Sequence, residues 1–167
     1  VVVATDYFDA FIRNNGLEYV LTTEMTDEEI LSEFVSSTLP YKLREALKAY
    51  VRTVSGPLAV RSSSKLEDSH YQPFAGIYST YMIPYTEGNE DRQLRLLQKA
   101  IKSVYASTYF AASKAYVQSS QNLIAEEKMA VVIQEVCGTE QDGLFFPTLS
   151  GVARSINYYP IGDETPE

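Results

Sequence analysis

The segment of this sequence whose residue types could do chemistry begins at Arg61, which is followed by Ser62, Ser63 and Ser64. Apolar residues precede it, and a polar loop leads from it to a Phe-Ala-Gly triplet that ends at Gly76. The guanidinium of arginine is a planar fork of donors that suits a phosphate or a carboxylate. Serine hydroxyls add donors, and glycine lets a ligand approach the main chain closely. The segment is therefore compatible with an anion-binding cradle.

The same segment also has a structural interpretation. Arg61 could pair with Glu67 or Asp68 while the serines cap a turn, because surface arginines commonly pair in this way. Spacing alone favours this interpretation, and the residue types leave both open. Glu67 and Asp68 could also be taken for an acid/base pair, but adjacent side chains on a strand or turn diverge. We therefore expect a structural role for both carboxylates.

Three further residues could be taken for chemical groups. His70 is the single histidine and lies in the polar loop, where an exposed side chain without a catalytic role is expected. Cys137 is the single cysteine, and we expect a small buried side chain at a strand end, not a nucleophile. Arg154 is either a further basic group of a site or a surface charge.

The composition is that of a globular protein with one domain or two small lobes. The chain has 167 residues, of which 45% are hydrophobic, and 22 acidic against 14 basic side chains give a net charge of -8. This charge disfavours nucleic acid and anionic membranes as partners. No apolar run approaches the ~20 residues of a membrane-spanning helix, and the start lacks a signal-peptide pattern. Because one cysteine excludes an intrachain disulfide and a cysteine zinc cluster, a reducing, cytoplasmic location is expected.

Helical spacing of apolar residues predicts three helices in the first third of the chain. Thr5 is the expected N-cap of the first helix, which ends before Gly16. Thr26 and Glu29 form a capping-box pair at the start of the second helix, and Pro40 suits the first turn of the third.

Strands and a longer helical region are predicted in the rest of the chain. The helical region covers about residues 88–120, with a break near Ser107 and Thr108. Strand candidates are residues 58–60, 76–83, 128–136, 143–151 and 152–162, with turns at 138–143 and near 151. This order of elements predicts an α+β fold with helices packed on a mostly antiparallel sheet, not a regularly wound parallel sheet.

The two ends lead us to expect a piece of a longer chain. The sequence opens on an apolar run of strand character without an initiator methionine, and it stops in a polar stretch. We expect one partial domain over residues 1–167, with sub-lobes at 1–125 and 126–167.

One block of the sequence is similar to a known family. The stretch LAVRSSSKLEDSHYQPFAGIYSTY resembles the signature of the nucleotide-binding domain shared by phosphoenolpyruvate synthase, pyruvate phosphate dikinase and related phosphotransferases. Its Ala-Val-Arg-Ser-Ser core, Glu-Asp pair and Phe-Ala-Gly triplet carry the resemblance. The stretches VVVATDYFDAFIRNNGL and KMAVVIQEV are similar to neighbouring blocks of that family. The resemblance implies an ATP-grasp-like fold in which two α+β lobes hold ATP.

The resemblance also implies roles on the phosphate side of such a site. Arg61 matches the arginine that contacts the ATP phosphates and is needed for phosphoryl transfer, and we count Ser62 among the ATP-binding residues. Gly76 and Thr80 match positions that line the phosphates through a backbone amide and a hydroxyl. The fixed charge of Arg61 would stabilise negative charge on the transferring group.

On the base side, Gln134 and Glu135 match residues that meet the adenine edge in the family, and the main chain at Cys137 is expected beside them. An amide and exposed main-chain groups suit adenine, whose edge offers donors and acceptors.

Several parts of the family pattern have no match in this sequence. The glycine-rich segment with its phosphate-binding lysine, the residues that hold Mg²⁺ and the γ-phosphate, the phosphohistidine domain and the pyruvate-binding barrel are all expected outside it. No metal ligand is therefore assigned here. The stretch GLFFPTLSGVARSINYYPIG also departs from the family pattern, because it carries Pro147 and has no acidic residue.

The leading hypothesis is the ATP-binding part of a phosphoenolpyruvate synthase-like phosphotransferase. ATP would phosphorylate a histidine in another domain, and that group would pass to pyruvate. One alternative is a noncatalytic nucleotide-binding or interaction module, which the altered stretch favours. Another is a sibling enzyme with a different acceptor, such as a glucan or an antibiotic. By themselves, these residues are expected to bind ATP weakly and without turnover.

Overall fold

The computed structural model describes residues 1–64, 67, 78–119 and 128–151. The chain divides into two compact units, Val1–Val136 and Cys137–Glu167. The division falls later than the predicted boundary between residues 125 and 126, because the strand at Met129–Glu135 pairs with strands of the first unit.

The described residues form five α-helices, one 3₁₀-helix and six strands. The helices are α1 (Thr5–Asn15), a 3₁₀-helix (Leu17–Leu21), α2 (Asp27–Ser36), α3 (Tyr41–Val51), α4 (Glu90–Ser107) and α5 (Ala111–Ser119). The strands are β1 (Val2–Val3), β2 (Leu58–Ser64), β3 (Tyr81–Ile83), β4 (Met129–Glu135), β5 (Thr139–Gln141) and β6 (Leu144–Phe146).

The first unit contains an antiparallel sheet of four strands in the order β1-β4-β2-β3. Strand β2 is central, and its Val60 lies opposite Ile133 of β4 and Tyr81 of β3. Alternate residues of β4 are buried, as expected for a strand with one face on a core. Helices α1 and α4 contact the sheet. The α+β fold with helices packed on an antiparallel sheet is therefore confirmed.

An aromatic cluster forms much of the core of this unit. The rings of Phe8 and Tyr105 meet edge to face with centroids 5.0 Å apart, and Phe11 and Phe34 lie 5.7 Å apart. Tyr109 packs against Phe34 at 5.5 Å. Each such pair stabilises the fold by about 0.5–1.5 kcal/mol beyond the burial of apolar area. Because the rings come from α1, α2 and α4, the cluster holds these three helices together.

The helix boundaries follow the predicted signals closely. Thr26 and Glu29 form a complete capping box, and Gly16 ends α1 in the left-handed conformation with φ of 62°. The predicted break is confirmed, since α4 ends at Ser107 and α5 begins at Ala111. Two helix starts differ from the prediction. Thr5 is the first helical residue of α1, and Ala4 occupies the N-cap position without a side-chain cap. Pro40 is the N-cap residue of α3 and precedes its first turn.

The strand boundaries differ more from the prediction. Strand β2 continues to Ser64 because β4 pairs with it along its whole length. Residues 78–80 precede β3 and are not part of it. Strand β5 occupies part of the stretch 138–143 that was predicted as a turn; the reversal is confined to Asp142 and Gly143, both with positive φ. The candidate strand at 152–162 lies outside the described residues.

Within the described ranges, no helix is both long and apolar enough to cross a membrane.

Candidate functional site

Arg61 lies inside strand β2, opposite Val132 of β4. The sequence-based expectation that it follows the strand was wrong, because pairing with β4 extends the strand past it. Successive side chains of a strand point to opposite faces. Val60 and Ser64 are buried on the core face, and the exposed Arg61 is on the other face. The strand thus presents a cation on the face opposite the core.

The guanidinium of Arg61 contacts the side chain of Gln134. Its Nη1 donates to Oε1 of Gln134 at 3.4 Å, and both side chains are exposed. The pair is diagonal across the sheet, since Gln134 lies opposite Ala59. A distance of 3.4 Å is near the upper limit for a hydrogen bond, and one such bond leaves other guanidinium donors available. Among the residues that the structure describes, no carboxylate forms a salt bridge with Arg61.

Glu67, the expected partner of Arg61 in the structural interpretation, binds serines instead. The Ser62 hydroxyl donates to its Oε1 at 2.8 Å, and the Ser64 N–H donates to its Oε2 at 3.0 Å. Ser62 alternates with Arg61 along β2, so its hydroxyl is on the other face of the strand. Arg61 and Ser62 are therefore adjacent in sequence but do not present their side chains together.

Thr80 directly precedes strand β3, which pairs with the first half of β2. The pairing of the two strands ends at Val60 and Tyr81, so Arg61 and Thr80 are each the first residue beyond the paired positions. Thr80 is exposed, and the preceding residue, Ser79, donates its N–H to the Ser107 hydroxyl at 3.4 Å. Gly76, which was predicted to line the same side, lies outside the described residues.

Glu135 directs its carboxylate away from Gln134 toward the loop before β2. Its Oε1 accepts from the N–H and the hydroxyl of Ser55 at 3.2 and 3.3 Å. A Cβ on Gly56 would lie 3.0 Å from that oxygen, so glycine permits this close fit. The next residue, Val136, donates its N–H to the carbonyl of Pro57 at 2.8 Å. Burial raises the pKa of Tyr50, and the negative charge of Glu135 raises it further.

Cys137 is the first residue of the second unit and is exposed. The expectation of a buried cysteine was wrong, since the chain leaves the sheet after β4 and the thiol gains no apolar cover. Asp68, His70 and Arg154 lie outside the described residues.

Sequence reasoning missed the two contacts that organise these residues. The bond from Arg61 to Gln134 joins positions 73 apart in sequence, and no local pattern signals it. The bond from Ser64 to Glu67 has a local signal, because a side chain three residues ahead commonly accepts a backbone N–H in turns and caps.

The side chains of the site are of types that bind a nucleotide rather than a metal ion. A cation without a carboxylate partner and a neighbouring amide suit a polyphosphate and a nucleobase edge. Within the part of the chain that is described, no group of three or more His, Cys, Asp or Glu side chains is placed to hold a metal ion. The chemistry of the described residues is therefore compatible with a nucleotide, and no Mg²⁺ ligand is assigned among them.

The class of protein that this fold defines is an α+β domain with helices packed on an antiparallel sheet. The chain belongs to the family of the pyruvate phosphate dikinase AMP/ATP-binding domain, whose sequence profile matches residues 1–165.

Two curated relatives are similar to the chain. An uncharacterized phosphotransferase of Bacillus subtilis, YvkC, is 31% identical over 152 residues, which are 87% of this chain and 16% of the relative. A phosphoenolpyruvate synthase of Aeropyrum pernix is 33% identical over 131 residues, which are 74% of this chain and 15% of the relative. The chain thus spans about one sixth of the length of the curated relatives that it matches.

Proposed function

We propose that this chain is the ATP-binding part of a phosphoenolpyruvate synthase-like phosphotransferase. In the complete enzyme, ATP phosphorylates a histidine of another domain, and the phosphoryl group then passes to pyruvate. The observation that carries the proposal is the exposed guanidinium of Arg61, which has a neutral amide and no carboxylate as its partner among the described residues. Family membership supports ATP as the ligand.

Arg61 is the catalytic residue in this proposal. Its guanidinium contacts the phosphates and stabilises the negative charge that develops on the phosphoryl group during transfer. The hydroxyl of Thr80, the residue that precedes β3, and the main chain at Gly76 are proposed to contact the same phosphates. Mg²⁺ would neutralise part of the polyphosphate charge, and we assign it no ligand in this chain.

Gln134 and the main chain at Glu135 and Cys137 are proposed to meet the adenine edge. The side chain of Gln134 is exposed on the same face as Arg61, and its amide offers both a donor and an acceptor. The carboxylate of Glu135 is engaged by Ser55, so its contribution is assigned to backbone groups.

The proposal is tested by calorimetric titration of the full-length protein with ATP. Arg61→Ala should weaken ATP binding about tenfold or more, since a hydrogen bond to a charged group contributes about 1.5–3 kcal/mol. Gln134→Ala should weaken it less. Arg95→Ala is the matched control, because Arg95 is an exposed arginine of α4 and carries the same charge. Unchanged ATP binding and phosphoryl transfer in Arg61→Ala would refute the proposed role.

A noncatalytic nucleotide-binding or interaction module is the second candidate. It is favoured by the departure from the family pattern after β5, where apolar side chains are exposed: Leu144 is 61%, Phe146 49% and Leu149 91% accessible.

Incubation of the full-length protein with ATP labelled in its phosphates distinguishes the two candidates. Label on a histidine supports the enzyme, whereas ATP binding without label supports the module. Adding pyruvate or a carbohydrate acceptor to the labelled protein then identifies the acceptor class.

A further inference from the structure

We infer that Glu67 is a positioning residue that holds the Arg61 end of strand β2 in place for phosphate binding. This inference rests on the proposed function, because it assigns a role toward Arg61 as a phosphate ligand. Both oxygens of the Glu67 carboxylate accept hydrogen bonds, each from a different residue of β2.

The need for such a support follows from the pairing of the sheet. Strand β3 pairs with only the first half of β2, ending at Val60, whereas β4 pairs with β2 as far as Ser64. In the described residues, the half of β2 that carries Arg61 is therefore paired along one edge. Glu67 supplies hydrogen bonds to this half from the chain that follows it.

The two bonds are short and partly buried. The Ser62 hydroxyl donates to Oε1 at 2.8 Å, and the Ser64 N–H donates to Oε2 at 3.0 Å. Both distances are within the ordinary range for hydrogen bonds. Ser62 directly follows Arg61 in the strand, so fixing Ser62 also limits the movement of the Arg61 backbone.

The same contacts keep a carboxylate away from Arg61. Glu67 is six residues beyond Arg61 in sequence, and a salt bridge between them would compete with phosphate for the guanidinium. The structure instead holds both oxygens of Glu67 at Ser62 and Ser64, away from the guanidinium. The Ser62 hydroxyl, predicted from sequence to bind the nucleotide, acts in this inference as a support for the strand.

The experiment measures ATP affinity and phosphoryl transfer in the full-length protein for Glu67→Ala, Glu67→Gln and Glu87→Ala. Glu67→Ala removes both bonds and should lower ATP affinity about tenfold, given the strength of bonds to charged acceptors. Glu67→Gln should keep most of the affinity, because its oxygen can accept from Ser64 and its amide can donate to the Ser62 hydroxyl. Glu87→Ala, an exposed acid in the turn before α4, should have no effect.

A double variant separates positioning from general stability. In the Arg61→Ala background, Glu67→Ala should cause no further loss of ATP affinity, because its effect acts through Arg61. An equal further loss in that background would overturn the inference and indicate a merely structural role. If Glu67→Ala does not fold, Ser62→Ala serves instead, since it removes one of the two bonds and is expected to lower affinity about threefold.

The outcomes also distinguish this inference from the proposed function. If Arg61→Ala weakens ATP binding but folded Glu67→Ala does not, the positioning role fails and the proposed function stands. If Arg61→Ala leaves ATP binding unchanged, the proposed function fails, and the inference fails with it.

Discussion

Among the described residues, the side chain that accepts a hydrogen bond from Arg61 is the neutral amide of Gln134, whereas exposed arginines commonly pair with carboxylates. Gln134 accepts one hydrogen bond at 3.4 Å, and no carboxylate of the described residues forms a salt bridge with the guanidinium. A ligand phosphate can replace such a partner at little cost, because a hydrogen bond at the upper limit of the distance range is weak. The choice of partner therefore bears directly on anion binding.

Replacing Gln134 with glutamate tests this argument. Gln134→Glu places a carboxylate of nearly the same shape beside Arg61, so an ion pair would compete with phosphate and ATP affinity should fall about tenfold. Gln134→Met, which keeps the length without the charge, should lose less. The difference should shrink at high salt, since surface ion pairs are screened. Calorimetric titration at low and high ionic strength measures both effects; equal affinity in the two variants would contradict the argument.

Helix α2 ends on a contact from another helix. The side chain of Lys102, on α4, donates to the carbonyl of Val35 and, at 3.1 Å, to that of Ser37. Carbonyls at the C-terminal end of a helix lack partners within the helix, and a cation there also suits the helix dipole. Burial lowers the pKa of Lys102. Lys102 therefore joins α4 to the end of α2.

Removal of this contact should loosen the pair of helices. Lys102→Met keeps the aliphatic stem and should lower the free energy of unfolding by about 1–2 kcal/mol, the scale of charged hydrogen bonds at a partly exposed position. Lys99→Met is the control, since Lys99 is exposed on the same helix. Urea unfolding curves give both values. A loss in the control as large as in Lys102→Met would show that the carbonyl contacts contribute nothing.

The β5–β6 hairpin depends on the absence of a side chain at Gly138. A Cβ there would lie 2.4 Å from the carbonyl oxygen of Phe146 and 2.8 Å from the ring of Phe145. Because the nearest atom belongs to the backbone, Gly138→Ala should displace the hairpin. Gly151→Ala, where a Cβ would meet no atom within 4 Å, should not. Faster amide hydrogen exchange at β5 and β6 in the first variant only is the expected result; unchanged exchange would show that the hairpin adjusts freely.

The core of the first unit makes the stability of the whole molecule sensitive to alkali. Burial raises the pKa of Tyr105 well above its ordinary value of 10.0, and it does the same for Tyr109 with the help of nearby acidic charge. Unfolding returns both phenols to ordinary values, so above about pH 10 the unfolded state binds fewer protons than the folded state. The free energy of unfolding should therefore fall as the pH rises through that range.

Tyr105→Phe provides the test of this pH dependence. The Tyr105 hydroxyl is buried and has no hydrogen-bond partner among the described residues, so its removal should not harm the fold. Between pH 9 and 11, the free energy of unfolding of the variant should fall less steeply with pH than that of the unaltered protein. The difference in slope should approach the value for one bound proton, about 1.4 kcal/mol per pH unit. Urea unfolding across that pH range measures the slopes, and identical slopes would contradict a role for Tyr105.

Much of the fold could be predicted from local sequence. The capping box at Thr26 and Glu29, the left-handed Gly16 and the helix break at Ser107 all depend on bonds within a few residues, which neighbouring residue types specify. The apolar run of β4 likewise identified a core strand, since its alternation in burial reflects the period of a strand. The block around Arg61 identified the family, which the match over residues 1–165 confirmed.

The sequence by itself thus determined the helices, the central strands and the presence of an arginine in a family block. Only the tertiary structure decided which face Arg61 takes and that Gln134 is its partner, because register across a sheet depends on chain segments far apart in sequence. It also decided that Glu67 binds Ser62 and Ser64. Residue types allowed both salt bridge and serine contacts, and the position of Glu67 against Ser62 and Ser64 selected between them.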